Sequence, residues 1–226
     1  MRRELLSSVY GVSALTDNRK AVANADLAIL AVKPQNLPQV MGEIKGLASK
    51  QLVLSIVTGA ALSSLCQGLD HSSVIRAMPN MPAQIGEGMT IWTATGETDQ
   101  RQKKLAQTVL GALGKEIYVA DEKYLNMATA LSGSGPAYVF LFIEALVDAG
   151  VHIGLPRDMA QELVIQTLLG STRTVEKTGK HPADLRNMVT SPGGTTTEAL
   201  LELEKGRFRS LLLEAVAAAY KKAASL

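Results

Sequence analysis

The chain has 226 residues, of which 46% are hydrophobic, and 23 basic residues stand against 21 acidic ones for a net charge of +2. This charge, without a Lys/Arg run longer than two, argues against nucleic acid or a membrane surface as a partner. Cys66 is the only cysteine, which excludes an intrachain disulfide and a four-thiolate zinc site, so we expect a cytoplasmic protein.

Short apolar runs alternate with helical patterns over the first 120 residues. The runs predict buried strands at residues 25–32, 51–57, 72–78, 88–94 and 115–120. Helices are predicted at the chain start and at residues 37–49, 62–69 and 99–114, the last capped by Asp99. Pro79 and Pro82 predict an extended turn. This alternation is typical of an α/β domain with a largely parallel sheet.

From Asp121 onward the strand signal disappears. Helices are predicted at residues 122–131, 136–151, 157–177, 182–189 and 197–224. The chain therefore divides into an α/β domain at residues 1–120 and an all-helical domain at residues 121–226. The most apolar stretch, residues 137–147, is interrupted by Glu144 and is too short to span a bilayer, so no membrane segment is expected. The three histidines lack the spacing of metal ligands, and no metal site is expected.

The carboxyl ends of the predicted strands are the first places to look for a ligand site. In open α/β sheets ligands bind beyond these ends, which selects residues 31–34, 56–59 and 77–82. Ordinary strand-ending turns would give the same pattern. The sequence has no G-x-G-x-x-G turn between a first strand and a helix. The pattern alone therefore predicts an incomplete nucleotide-binding domain joined to a helical module.

Residues 181–216, HPADLRNMVTSPGGTTTEALLELEKGRFRSLLLEAV, closely resemble the signature region of the pyrroline-5-carboxylate reductase family. Further segments resemble the family in its order and spacing: LAVKPQN (30–36), SIVTGAALSSL (55–65), VIRAMPNMPAQIGEGMT (74–90), LSGSGPAYVFLFIEALVDAGVHIGLPR (131–157) and LLGST (168–172). The resemblance implies a Rossmann-like α/β domain followed by an all-α dimerisation domain. Because the G-x-G-x-M segment of the family is not in this sequence, we expect the first domain to be incomplete at its N-terminus.

The resemblance also implies an activity, a cofactor and an assembly. The reaction of the family is the NAD(P)H-dependent reduction of 1-pyrroline-5-carboxylate to L-proline, the last step of proline biosynthesis. Carried over motif by motif, the contacts to NADPH or NADH fall on Asn18, Ala31, Val32, Lys33, Pro34, Ile56, Val57 and Thr58. The family forms interlocked homodimers or larger homo-oligomers, with each active site between the helical half of one subunit and the nucleotide domain of another.

The substrate contacts implied by the resemblance are Glu122 and the loop SPGGTT. The carried-over residues are Glu122, Gly193, Gly194, Thr195 and Thr196. A glycine-rich loop that leads into a helix supplies backbone N–H groups and a favourable dipole for the substrate carboxylate. The Thr196 hydroxyl is expected near the imine nitrogen as the catalytic hydrogen-bond donor. Thr195 and Glu198 also fit an S/T-x-x-E capping box, which would make the loop a plain helix start.

Two alternatives remain open at this point. One is another nicotinamide reductase of the same architecture, such as a hydroxyacid or ketopantoate reductase. The other is a truncated, catalytically silent chain that persists as a helical dimerisation module. Cys66, on a short predicted helix, is interpreted as a small buried residue and not as a nucleophile.

Overall fold

The computed structural model describes residues 2–46 and 51–225. Within these residues one five-stranded sheet is formed by β1 (Leu27–Leu30), β2 (Leu52–Ser55), β3 (Val74–Met78), β4 (Gly88–Ala94) and β5 (Gly114–Tyr118). The helices that precede or connect these strands are α1 (Arg2–Tyr10), α2 (Asn18–Val22), α3 (Leu37–Ile44), α4 (Leu62–Leu69) and α5 (Gln100–Gly111). The predicted helix at 37–49 ends earlier than expected, and residues 47–50 lie outside the described residues.

The part of the chain after β5 is helical throughout. Its helices are α6 (Lys123–Ala128), α7 (Gly135–His152), α8 (Arg157–Thr178), α9 (Pro182–Met188), α10 (Thr195–Lys205) and α11 (Phe208–Ala223). The expected fold class, a Rossmann-like α/β region followed by an all-helical region, is confirmed. The predicted domain boundary between residues 120 and 121 stays a prediction.

The strands follow one another across the sheet in the order β1-β2-β3-β4-β5. β1, β2 and β3 are parallel, β4 is antiparallel to β3, and β5 is parallel to β4. The reversal at β4 follows from its connection, since residues 79–87 are too few for a parallel crossover, which needs about a dozen residues or more. The register places Leu30, Ser55 and Arg76 side by side on β1, β2 and β3.

β1 is an edge strand of the described sheet, and its burial differs from the prediction. Ala28 and Leu30 are buried, whereas Ile29 between them is 48% exposed. The expectation that residues 25–32 form a strand buried on both faces is therefore wrong. Alternation of buried and exposed side chains is the pattern of a strand that packs on one face only.

The sheet has a hydrophobic core on each face. On one face Val53 and Val74 pack with Leu65 of α4. On the other face Ile75 and Trp92 pack in one cluster with residues of α5. Alternating residues of β2 and β3 thus enter opposite cores, as the two-residue period of a strand requires. Trp92 of β4 thus packs under α5.

Gly114 at the start of β5 gives a stability prediction. Its φ is +132°, and a Cβ there would overlap the backbone of Gly88 on β4. We expect Gly114→Ala to lower the free energy of unfolding by about 2 kcal/mol or more. The matched control is Gly42→Ala in α3, where a Cβ meets nothing within 4 Å, and helix propensity should raise stability by up to about 1 kcal/mol. Urea denaturation followed by the fluorescence of Trp92 measures the stability of both variants. Equal denaturation midpoints would contradict the requirement for glycine at position 114.

The chain divides into two compact units, one of residues 1–134 with 219–226 and the other of residues 135–218. Within the second unit α7 and α8 pack closely, since a Cβ at Gly150 would lie 2.9 Å from the Cβ of Ala160. The rings of Phe142 and Phe208 lie 6.0 Å apart there. Much of the apolar surface of these helices is nevertheless exposed in the single chain.

The single helix predicted at residues 197–224 is wrong. The structure has two helices, α10 and α11, separated by Gly206 and Arg207. Gly206 is the C-cap of α10, and its N–H donates to the Glu202 carbonyl. Arg207 has a φ of +57°, which an α-helix cannot contain. The apolar pattern continues on both sides of this break, so periodicity alone did not reveal it.

Two other local predictions are corrected. The extended turn expected around Pro79 and Pro82 contains a 3-10 helix, Met81–Ile85, because the ring of Pro82 favours the first turn of a helix. The helix predicted at 122–131 is α6 followed by a π-helical segment, Thr129–Gly133. π-helical turns are frequent at functional sites, and this one overlaps the first two residues of the SGSG stretch at 132–135.

Candidate active site

The carboxyl ends of β1 and β2 meet at one edge of the sheet. The Ile56 N–H donates to the Leu30 carbonyl at 3.0 Å, which places residues 31–34 beside residues 56–58. Two of the groups predicted to bind the cofactor are therefore adjacent. They do not share one environment, since Lys33 is exposed and Val57 is buried. The half-buried Thr58 hydroxyl lies 3.9 Å from the sulfur of Met78.

Asn18, the remaining predicted cofactor residue, lies at the first turn of α2. The side chain of Asp17 caps this helix by accepting the backbone N–H groups of Arg19 and Lys20. The Asn18 amide nitrogen donates to a Glu43 carboxylate oxygen of α3 at 2.7 Å. Hydrogen bonds from Gln39 and then Asn18 lower the pKa of Glu43. The structure thus ties Asn18 to α3, and its role toward a cofactor stays a prediction.

Glu122, a predicted substrate contact, precedes α6 and is held by two donors. Its Oε1 accepts from the Arg76 guanidinium at 2.7 Å and from the Leu62 N–H at 2.9 Å. Arg76 lies on β3 and its side chain is 8% exposed, whereas that of Glu122 is 31% exposed. The carboxylate therefore caps the N-terminus of α4 from 60 residues away, which suits a negative charge at the positive end of a helix.

The loop before α10 combines a proline, two glycines and the three threonines. Gly193 has a φ of +66°, a backbone conformation that side chains other than glycine rarely adopt. At Gly194 a Cβ would overlap the Ser191 hydroxyl oxygen. The Thr197 hydroxyl donates to the Ser191 carbonyl at 2.6 Å, which closes the loop. The conformation of the loop thus requires glycine at 193, whereas a side chain at 194 would need the Ser191 hydroxyl to move.

The capping box proposed for Thr195 and Glu198 is wrong. The N-cap of α10 is Gly194, with no side-chain hydrogen bond, and Thr195 is already the first helical residue. The first backbone N–H groups of any α-helix lack an intrahelical acceptor. Because no side chain caps α10, the N–H groups of Thr195 and Thr196 are placed to bind an external acceptor. The plain-cap interpretation of this loop thereby loses its support.

Comparisons with known proteins identify the family. A family model described as pyrroline-5-carboxylate reductase dimerisation matches residues 122–226, and one described as NADP oxidoreductase, coenzyme F420-dependent, matches residues 1–59. The chain is 43% identical over 225 residues to the pyrroline-5-carboxylate reductase of Synechocystis, covering 100% of this chain and 84% of that protein. The chain belongs to the pyrroline-5-carboxylate reductase family.

Solved structures of the family share the fold of this chain. A pyrroline-5-carboxylate reductase from Coxiella burnetii matches with a TM-score of 0.89 at 39% identity, over 98% of this chain and 83% of that one. The Plasmodium falciparum pyrroline carboxylate reductase, solved with NADP bound, matches with a TM-score of 0.90 at 34% identity, over 95% of this chain and 82% of that one. The resemblance stated from the sequence motifs is confirmed.

Sequence reasoning missed two polar side chains that organise this member of the reductase family. Arg76 joins Glu122 to Asn126, which accepts from its second guanidinium nitrogen at 3.0 Å. The Asn80 amide donates to the Ser132 carbonyl and hydroxyl oxygens at 3.2 Å and accepts from the Met89 N–H at 2.9 Å. Both could have been found from the sequence, because Arg76 interrupts the apolar segment VIRAM and Asn80 lies in PNMP. A polar side chain in such a segment needs a hydrogen-bond partner when it is buried.

Cys66 lies on α4 and is partly buried. Burial raises the pKa of its thiol, with smaller contributions from the charges of Glu97 and Glu122. A raised pKa keeps the thiol protonated near neutral pH, and the protonated form is a poor nucleophile. The geometry thus favours the structural interpretation of Cys66.

Proposed function

We propose that this chain catalyses the reduction of 1-pyrroline-5-carboxylate to L-proline with NADPH or NADH, as a soluble enzyme of the cytoplasm. The observation that carries the proposal is the 43% identity to a pyrroline-5-carboxylate reductase over the whole length of this chain. This reaction is the last step of proline biosynthesis.

The edge formed by β1 and β2 has the donors that a dinucleotide needs. Lys33 supplies an exposed cation for an anionic cofactor, and Thr58 supplies a half-buried hydroxyl. We assign the cofactor to the predicted residues Asn18, Ala31, Val32, Lys33, Pro34, Ile56, Val57 and Thr58. When bound, the reduced nicotinamide supplies the hydride that the C=N carbon receives. The task of the protein is then to hold the substrate in one orientation, which can contribute about 7–11 kcal/mol to lowering the barrier.

The loop before α10 is our candidate for binding the substrate carboxylate. We assign the carboxylate to Gly193, Gly194, Thr195 and Thr196. The N–H groups of Thr195 and Thr196 lie at the N-terminus of α10, whereas the Gly194 N–H already donates to the Ser191 carbonyl. Each charge-assisted hydrogen bond of this kind contributes about 1.5–3 kcal/mol. Thr196 Oγ1 donates a hydrogen bond to the ring nitrogen, which must gain a proton as the neighbouring carbon gains hydride. Glu122 is the further substrate contact that we propose from the family motif.

We propose further that the enzyme is a homodimer or a larger homo-oligomer. The family model for dimerisation matches residues 122–226, and large apolar side chains such as Leu141 and Leu213 are 66% and 73% exposed in the single chain. The helical run Lys123–His152 is by length and composition apolar enough to cross a membrane, and only 11% of its most apolar window is buried. A second copy that covers this surface accounts for its apolar character.

A cofactor titration tests the proposal against the silent-module alternative. Purified protein is titrated with NADPH and separately with NADH, and the quenching of Trp92 fluorescence or the change in nicotinamide emission is followed. We expect saturable binding with a Kd in the micromolar range, about −8 kcal/mol. Lys33→Met, which removes the exposed cation at the strand ends, should weaken the binding of both nucleotides and raise their Kd. Lys104→Met on α5 is the matched control and should bind as the unaltered protein does. No saturable binding of either nucleotide would contradict the assigned cofactor site.

A further inference from the structure

Arg76 is a buried charge in the middle of an apolar strand, and its surroundings explain why it is tolerated. The guanidinium spans two acceptors, Glu122 at 2.7 Å and Asn126 at 3.0 Å, which lie one helical turn apart on the same face at the start of α6. Its strand neighbours Ser55 and Thr93 are also buried. A buried cation is tolerated only when it is paired and hydrogen-bonded, and here Glu122 supplies the negative charge.

The same carboxylate oxygen of Glu122 accepts the Leu62 N–H at 2.9 Å. Two donors from different elements, β3 and α4, therefore fix one side-chain rotamer of Glu122. A planar guanidinium can reach Glu122 and Asn126 at once, whereas a lysine ammonium, a point charge on a flexible stem, cannot reproduce this fork. The shape of the Arg76 guanidinium, and not only its charge, therefore determines the orientation of the Glu122 carboxylate.

We infer that Arg76 is a positioning residue for substrate binding: it holds the Glu122 carboxylate at the N-terminus of α4, in the orientation that meets the substrate. This inference rests on the proposed function, because Glu122 is a substrate contact only if the chain is the reductase. The hydrogen bonds of the Arg76 guanidinium go to Glu122 and Asn126. Its effect on the reaction passes through Glu122, and this distinguishes it from a residue that merely stabilises the sheet.

A mutant cycle tests whether Arg76 acts through Glu122. Arg76→Gln, Arg76→Lys, Glu122→Gln and the double variant are compared by steady-state kinetics. We expect Arg76→Gln to raise the KM for 1-pyrroline-5-carboxylate about ten-fold or more with the Kd of NADPH unchanged, and Arg76→Lys to fall between it and the unaltered protein. In the Glu122→Gln background the Arg76→Gln change should add less than about two-fold. Effects that multiply, or a KM within about two-fold of the unaltered value in Arg76→Gln, would overturn the inference.

The control variant is Ile75→Val on the same strand. Ile75 is fully buried on the opposite face of the sheet, in the cluster with Trp92, so this change loosens β3 without touching Glu122. It should lower the Tm and leave the KM as it is. A raised KM in Ile75→Val would assign the effect to sheet stability and would overturn the positioning role.

Amide exchange at Leu62 provides a readout that does not depend on turnover. Loss of Arg76 frees Glu122, so the Leu62 N–H should exchange about ten-fold faster or more in Arg76→Gln than in Ile75→Val. If the unaltered protein fails to reduce the substrate, the proposed function fails, whereas faster exchange at Leu62 still supports the anchoring of Glu122 by Arg76. Equal exchange in the two variants would overturn that anchoring.

Discussion

Thr196→Val should lower kcat for the reduction of 1-pyrroline-5-carboxylate by about thirty-fold or more, which corresponds to about 2 kcal/mol. Valine keeps the shape of threonine and removes only the hydroxyl, the group that we place against the ring nitrogen. A hydrogen bond to a group that gains charge contributes about 1.5–3 kcal/mol. The half-buried Thr196 lies in the first turn of α10, where both residues have similar helix propensities, so the fold should be retained.

Two companion variants isolate the hydroxyl. Thr196→Ser keeps it and should retain most of the turnover. Thr197→Val removes the neighbouring hydroxyl, which donates to the Ser191 carbonyl, and should lower the Tm more than Thr196→Val does. Steady-state kinetics measures kcat for each variant, and circular dichroism measures its fold and Tm. If Thr196→Val keeps kcat within about two-fold of the unaltered enzyme, the hydroxyl has no part in the reaction.

Leu141→Glu on α7 and Leu213→Glu on α11 should convert the oligomer into a 24.0 kDa monomer. Both leucines are large, apolar and strongly exposed in the single chain. In a two-fold symmetric dimer each substitution occurs twice, and each lost burial costs about 1.5–3 kcal/mol. A loss of about 3–6 kcal/mol weakens the dimer by about two to four orders of magnitude. Under the proposal that each active site lies between two subunits, turnover should fall with the mass.

Light scattering coupled to size exclusion measures the mass, and the NADPH-consumption rate is taken on the same fractions. The matched control is Lys104→Glu on α5, an exposed helical position outside residues 122–226. It adds the same side chain and should leave mass and rate unchanged. An unaltered protein that is already monomeric at micromolar concentration would contradict the proposed assembly.

The sequence alone predicted the elements whose signals are local. α4 at 62–69 and β4 at 88–94 agree with the prediction to the residue, because each apolar run is bounded by turn residues. The capping of α5 by Asp99 is also confirmed, with Gln102 completing a capping box. α2 was missed because five residues are too few to show helical periodicity. The break between α10 and α11 depends on the positive φ of Arg207, which no local pattern indicates.

The candidate site also has parts that the sequence predicted and parts that only the folded chain shows. The rule for parallel strands selected residues 31–34 and 56–59, and the register of β1 and β2 places them together. The bonds of Glu122 to Arg76 and Leu62 join residues 46 and 60 positions apart, so only the folded chain reveals them. The roles of Glu122 and Thr196 came from the family motifs and stay proposals.

The most direct measurement is the reaction itself. Purified protein is mixed with NADPH and 1-pyrroline-5-carboxylate, the loss of nicotinamide absorbance is followed, and L-proline is quantified in the same mixture. We expect one L-proline formed for each NADPH consumed, with saturation in both reactants and a fall in rate in Thr196→Val. If saturable NADPH binding is accompanied by no L-proline above the enzyme-free control, with NADPH or with NADH, the reductase assignment of this chain is contradicted.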